Sequence, residues 1–243
     1  FTNAKKLSEC RVTFEIKAKT LEDNLPKTVE LVQEIMLKSR FDDGKRLYEI
    51  LAELKSRLQS NLISAGHSVA ASRAMSYFSR PAAIQEQING MPFYRLVDYL
   101  EKNFDSCRED LQNKLEALMK YIFRPENLLL DYVGTQDHYE EFISLAGQVK
   151  KSLHTEPVEH RPFLIEPVRK NEGFMSASQV QYVCRAGNFI SKGLSYTGAL
   201  RVLKVMMSYE YLWHNIREVG GAYGTGMLSS DGVEYLYTYR DPH

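Results

Sequence analysis

Apolar residues recur along most of this chain at helical spacing, interrupted by a few runs in which apolar and polar positions alternate. Val12, Phe14 and Ile16 alternate with Thr13, Glu15 and Lys17, which predicts a half-buried strand over Cys10–Lys17. Asn24 and Pro26 announce a helix whose stripe is Val29, Val32, Ile35 and Met36. Asp42-Asp43 can cap the next one, striped by Leu47, Ile50, Leu51, Leu54 and Leu58. After Gly66-His67 the pattern turns small and polar, with Ala70, Ala71 and Ala74 spaced for close helix packing. Pro81 and Gly90 bound a short helix, Phe93–Phe104 and Glu109–Phe123 give two more, Asn127–Val133 reads as a short apolar strand, and a helix follows from about His138 to Leu153.

Residues 154–173, with Pro157, Pro162 and Pro167 among charges, read as a linker. Beyond it, Gln179–Ala186 alternates Val180, Tyr182 and Cys184 with polar neighbours. Thr197 can cap a long helix striped by Val202, Met206, Tyr209, Trp213 and Ile216, with Leu203 and Met207 as a second edge, so burial over much of its circumference is expected. Gly220-Gly221 break it. Runs Ala222–Ser229 and Val233–Tyr239 then flank Asp231-Gly232, a strong signal for a two-residue hairpin. Val233, Tyr235, Tyr237 and Tyr239 share a face expected to pack on the long helix; Ala222, Gly224 and Gly226 form a bare face open to another backbone. The fold class is α+β: antiparallel sheets with helices packed on one face, in two successive units, 1–153 and 174–243, separated by the proline-rich linker.

Charge and cysteine content narrow the possible functions. Lys plus Arg and Asp plus Glu both number 31 and are interspersed, which gives no electrostatic case for a nucleic-acid partner. The three cysteines, Cys10, Cys107 and Cys184, lie far apart without a CxxC pair and fit a reducing compartment. No apolar run is long enough to span a membrane, and no signal segment opens the chain. A cytoplasmic protein is expected or, with a targeting segment absent from this chain, one of the mitochondrial matrix. Both ends read as cut.

Two histidine clusters mimic metal motifs. His138-Tyr139-Glu140-Glu141-Phe142 nearly spells the inverted zinc motif HxxEH, but Phe142 stands where the second histidine belongs. His154 and His160 flank Pro157, which keeps them off one continuous helix. His67 lacks a second ligand at i+4 and reads as structural. No metal ligand set is therefore expected in this chain.

The remaining chemistry sits where the long helix ends. Arg217 falls in its last turn, Gly220-Gly221 turn the chain, and Tyr223 opens the strand. A purely structural junction is one reading, with Arg217 complementing the helix dipole, Gly220 at C′ and Tyr223 in the core. The run from Leu212 to Gly226, LWHNIREVGGAYGTG, followed by a hairpin and YTYRDPH, resembles the C-terminal half of pitrilysin/insulinase-type zinc metallopeptidases, most closely the presequence-protease branch. That branch also has a GHxxAxxRA segment, matched by Gly66, His67, Ala70, Arg73 and Ala74.

The resemblance implies the third and fourth domains of a four-domain, clam-like peptidase of unfolded oligopeptides. Zinc would be held by the N-terminal half, the partner of this chain within the same protein. Arg217 and Tyr223 would be the catalytic residues contributed here, reaching toward the substrate carbonyl, with Gly220, Gly221, Ala222 and Gly224 lining the peptide. The alternative is a non-catalytic paralogue or scaffold that binds peptide or protein without cleaving it.

Overall fold

The computed structural model describes residues 2–3, 6–159, 165–176, 179–230 and 232–242. Contacts group the chain into two compact units that interleave along the sequence, one comprising Phe1–Val12, Ile50–Lys102 and Phe163–His243, the other Thr13–Glu49 and Asn103–Pro162. This grouping cuts across the linear division expected at 154–173, because apolar stripes distant in sequence find each other.

In the second unit, α1 (Leu25–Lys38) starts with Pro26 in its first turn, as expected. It packs with α6 (Phe104–Ile122) and α7 (Tyr139–Ser152) around Met36, Phe123, Val149 and Leu153, with Val29, Val32, Met119 and Ile122 at the margin. Ile35 falls outside this core and is exposed. Arg124 is buried beside it and donates through Nη1 to the Glu156 carbonyl at 2.6 Å.

Two expected strands do not form. Residues 11–17 and 127–133 are irregular, with Val12, Phe14, Leu129 and Val133 exposed. Among the described residues no strand pairs with either segment, so their backbone groups stay with water and the apolar side chains pack singly or not at all. Ile16 reaches the core, and the Phe14 ring stands edge-on to Phe123, 5.7 Å between centroids.

The first unit holds a three-stranded antiparallel sheet, ordered β3 (Cys184–Asn188), β5 (Val233–Tyr239), β4 (Gly224–Ser230). Ser230 pairs with Val233 across a two-residue turn in which Gly232 has φ 77°; Asp231 lies outside the described residues. A short pair, β1 (Thr2–Asn3) and β2 (Lys6–Cys10), also belongs to this unit.

Helix α2 (Gly44–Ser64) starts as expected, with Asp43 Oδ1 accepting from Arg46 N at 3.0 Å. Of its stripe, Leu51 is buried, Leu47, Leu54 and Leu58 are half-buried and Ile50 is exposed. Lys55 pairs with Asp98 and Glu101 of α5 (Met91–Lys102) at 2.8 and 2.9 Å. Helices α3 (Gly66–Ser76) and α4 (Arg80–Asn89) pack together, and α3 lies against β3 and β5.

Residues 165–176 have no regular structure, yet they are anchored rather than free. Arg73 of α3 bonds Glu172 through Nε (2.8 Å) and Nη2 (3.0 Å) and Glu86 through Nη1 (3.3 Å), Tyr77 donates to Glu172, and Arg80 pairs with Glu166.

The long helix departs from its expected form. Helix α8 covers only Ala199–Met206, and Met207–Val219 continues as a π-helix, in which i→i+5 bonds put between four and five residues in each turn. The shielded positions become Met207 and Ser208, Leu212 and Trp213, Ile216 and Arg217, and only Leu212 is fully buried. Val202, Met206 and Tyr209 of the expected stripe, and Leu203 of its second edge, are exposed. The tyrosine face of β5 also meets a different partner, α3 rather than the long helix: His67 lies 4.7 Å from the Tyr239 ring and 5.7 Å from that of Tyr237.

Candidate functional site

The π-helix ends in a turn that needs both glycines, for different reasons. Gly220 is still helical (φ −82°), and a Cβ there would lie 2.6 Å from the Ile216 carbonyl oxygen. Gly221, not Gly220, takes the left-handed conformation, φ 80°. Gly221 N donates to Arg217 O at 3.0 Å and Ala222 N to Ile216 O at 3.1 Å, each span one residue wider than in the Schellman pairing, in keeping with a helix that is already wide.

The turn folds the chain back so that Arg217 meets Tyr223. Arg217 Nη1 donates to the Tyr223 carbonyl at 2.5 Å, and the guanidinium lies 4.2 Å over the Trp213 ring and 5.3 Å from the Tyr223 ring. Two ring faces thus hold one cation, an arrangement that also restricts its rotamers. Tyr223 N donates to Arg240 O at 3.4 Å, and its ring stands edge-on to Tyr239, 5.8 Å between centroids at 66°. Tyr223 is 63% exposed, so it is not a core aromatic. Among the described residues neither its hydroxyl nor the Nε and Nη2 donors of Arg217 have a hydrogen-bond partner, which leaves them facing outward from the corner.

The other residues expected to line a peptide are differently placed. The amides of Gly220, Gly221 and Ala222 are consumed by the helix end, and Ala222 is buried. The bare face of β4 is filled. Gly224 opposes Tyr239 and Gly226 opposes Tyr237, and a Cβ on Gly226 would meet the Tyr237 ring and hydroxyl at 2.9–3.1 Å. The glycines there admit tyrosine rings from the neighbouring strand rather than another backbone.

Sequence reasoning missed Trp213 and Arg240. Trp213 precedes Arg217 by four residues on a helix, a spacing that already puts the two on one face. Arg240 has no such signal. Its φ of 53° and its carbonyl bond to Tyr223 are visible only in the fold.

The described residues do not fit a zinc centre. His138 sits between Glu22 (3.6 Å) and Glu141 (3.4 Å), His154 near Glu156 (3.8 Å), and His214 beside Glu218 (2.9 Å). Phe142, in the place of the missing histidine, stacks on Tyr132 at 4.8 Å. No group of three or more His, Cys, Asp or Glu among the described residues could hold a metal ion. His160 lies outside them.

Comparison with known proteins brings these features together. Residues 1–100 match the family model of the associated domain of M16 peptidases, subfamily C, and residues 171–243 match that of the PreP C-terminal domain. The chain belongs to subfamily C of the M16 peptidases. It is similar over its whole length, at 32% identity, to protein HypA of Clostridium perfringens, of which it covers 25%. It is 29% identical over 94% of its length to the mitochondrial presequence protease of Drosophila melanogaster, covering 22% of that protein. Presequence protease 1, chloroplastic/mitochondrial, of Arabidopsis thaliana is 26% identical over the same share of the chain, which covers 21% of it. The chain therefore spans about a quarter of the length of these relatives. Within this subfamily its Arg217/Tyr223 corner lies in the segment matched by the PreP C-terminal domain, and Gly66–Ala74 in the segment matched by the associated domain. Among the described residues no helix is long and apolar enough to cross a membrane.

Proposed function

We propose that this chain is part of a zinc metalloendopeptidase that degrades unfolded oligopeptides, and that it supplies the wall of the chamber opposite the metal. One observation carries this reading: Arg217 and Tyr223 stand side by side at an exposed corner, fixed by Trp213 and by the Tyr223 carbonyl, with their remaining donors unspent. M16 peptidases are zinc-dependent as a family, and the N-terminal half of the same protein would hold the metal and supply the hydrolytic chemistry. The division into a third-domain-like unit (1–153), a linker (154–173) and a fourth-domain-like unit (174–243) belongs to the same reading. Relatives named as mitochondrial favour the matrix for a eukaryotic source, and the bacterial relative favours the cytoplasm.

The role of the two residues follows from charge. A peptide carbonyl under attack gains negative charge on oxygen, so donors aimed at that oxygen stabilise the transition state more than the ground state. The Arg217 guanidinium keeps its charge at any working pH, and its planar fork can span two backbone oxygens. The phenol of Tyr223 adds a neutral donor on a stem held by Tyr239. Gly220 and Gly221 would contact peptide through their carbonyls, since their amides are committed to the helix end.

In the full-length protein, Arg217→Ala and Tyr223→Phe should each lower kcat by roughly 100- to 1000-fold, the usual loss for one oxyanion donor. Zinc content and melting temperature should remain at wild-type values. Cleavage of a short peptide at the wild-type rate by both variants would refute the reading. Early melting of both would mark the pair as structural.

A further inference from the structure

The Gly66-His67 motif has no part in the chemistry described so far, yet it lies under the aromatic sheet face that supports Tyr223. The His67 ring is surrounded by three tyrosines. It stands edge-on to Tyr239 (4.7 Å, 82°) and lies 5.7 Å from Tyr237 and 6.2 Å from Tyr182. Tyr182 in turn is 5.7 Å from Tyr239. Gly66 makes this approach possible, since a Cβ at that position would fall 2.3 Å from Tyr182 Cδ2. Tyr239 is the shared member, because its other neighbour is the Tyr223 ring at 5.8 Å.

The bonding of His67 shows how it acts. Nδ1 is buried without a hydrogen-bond partner, and Nε2 is 3.2 Å from the hydroxyl of its own neighbour Ser68. Neither nitrogen ties the ring to the sheet, so what His67 offers Tyr239 is the shape of a flat ring. Edge-to-face contacts fix the angle between two rings as well as their distance. A chain of such contacts runs from His67 through Tyr239 to Tyr223, and then through the Tyr223 carbonyl to Arg217.

We infer that His67 is a positioning residue for the candidate site, setting the Tyr223 phenol through Tyr239. This inference rests on the reading of Tyr223 as a donor to the substrate carbonyl. Both members of the Gly66-His67 pair then have a role, as the glycine admits Tyr182 and the histidine orients the ring on which Tyr223 rests.

The test is a double-mutant cycle in the full-length protein on a short fluorogenic peptide, with kcat and KM measured separately. His67→Ala should lower kcat between about tenfold and a hundredfold, the scale of a misplaced catalytic group, with KM within about twofold of wild type. His67→Phe, which keeps the flat ring, should restore most of the rate. In a Tyr223→Phe background, where no phenol remains to be aimed, His67→Ala should have no further effect on kcat. If the His67→Ala loss is instead the same in both backgrounds, or His67→Phe is as slow as His67→Ala, the positioning role is overturned while that of Tyr223 stands. If Tyr223→Phe alone cleaves at the wild-type rate, the reading of Tyr223 fails and the positioning role with it. Should His67→Ala not fold, the His67→Phe variant in the two Tyr223 backgrounds decides, since it must stay near its parent's rate in both.

Discussion

Helix α3 has a weak apolar stripe built from Gly66, Ala70, Ala71 and Ala74, and it lies against the sheet with Gly66 and Ala71 buried. Helix α8 offers Val202, Leu203, Val205 and Met206, and these remain 41–61% exposed. The difference lies in what each surface admits. The small residues of α3 let the tyrosines of β5 and the Tyr182 ring come close, so the partner's side chains fill the space at native density. The branched residues of α8 are a capacity for burial that nothing among the described residues takes up until the π-helix meets β4. Amphipathicity thus marks a helix with something to bury. It does not say where, or whether these elements do it.

Substitutions on the two helices and on the sheet that α3 covers test this contrast, the largest expected effect first. Arg73→Met removes the cation of α3 that serves Glu86, itself 4% exposed, and Glu172. Breaking such a pair typically costs about 3–5 kcal/mol; the partly exposed Glu172 places this one near about 3 kcal/mol, to be read as a fall in the urea midpoint. The same variant has a pH signature. Hydrogen bonds from Arg73, and then Tyr77, hold the Glu172 carboxyl at about 2, below its ordinary 4.5. Because the folded value is the lower one, the ionised carboxylate contributes stability that is fully present above about 4.5 and lost as pH falls toward about 2. Urea midpoints measured between pH 5 and pH 2.5 should therefore fall more steeply for wild type than for Arg73→Met.

Gly66→Val should cost about 1–3 kcal/mol, because a Cβ 2.3 Å from Tyr182 forces the ring off the helix. Gly232→Val tests the sheet: at φ 77° a β-branched residue is strained, and a loss of about 1 kcal/mol or more is expected in the same titration. The smallest effects belong to α8. Gly198, at its start, has open space around it, and Gly198→Ala should move the midpoint by less than about 0.5 kcal/mol. Equal effects at Gly66 and Gly198 would erase the contrast between the helices. Val202→Thr, on a side chain 61% exposed, should also leave the midpoint within about 0.5 kcal/mol of wild type, and a larger loss would mean that the stripe is covered after all.

Legibility followed the locality of each signal. Pro26, Asp43, Ser79 and Gly90 mark helix ends where the sequence puts them, because caps act within one turn. The hairpin register, with Ser230 opposite Val233, follows from two residues of turn chemistry. The strands expected at 11–17 and 127–133 fail for the opposite reason: alternation equips a segment for a sheet, but pairing needs a neighbour the segment cannot specify. At the candidate site, Arg217, Gly221 and Tyr223 were legible because helix end, turn and strand start lie within seven residues. Trp213 was within reach of the i,i+4 rule.

By itself the sequence determined the helices and their caps, the hairpin, the glycine-broken junction carrying Arg217 and Tyr223, and the kinship to presequence proteases, all of which are written in short windows of residues. Only the tertiary structure decided that the helix through Arg217 widens to i→i+5 bonding and shifts its buried stripe. It also decided that tyrosine rings, not a substrate backbone, fill the bare face of β4, and that His67 lies beneath Tyr239. Those outcomes depend on which surfaces, far apart in the chain, compete for the same space, and close packing settles that competition through volume and ring geometry that no local pattern encodes.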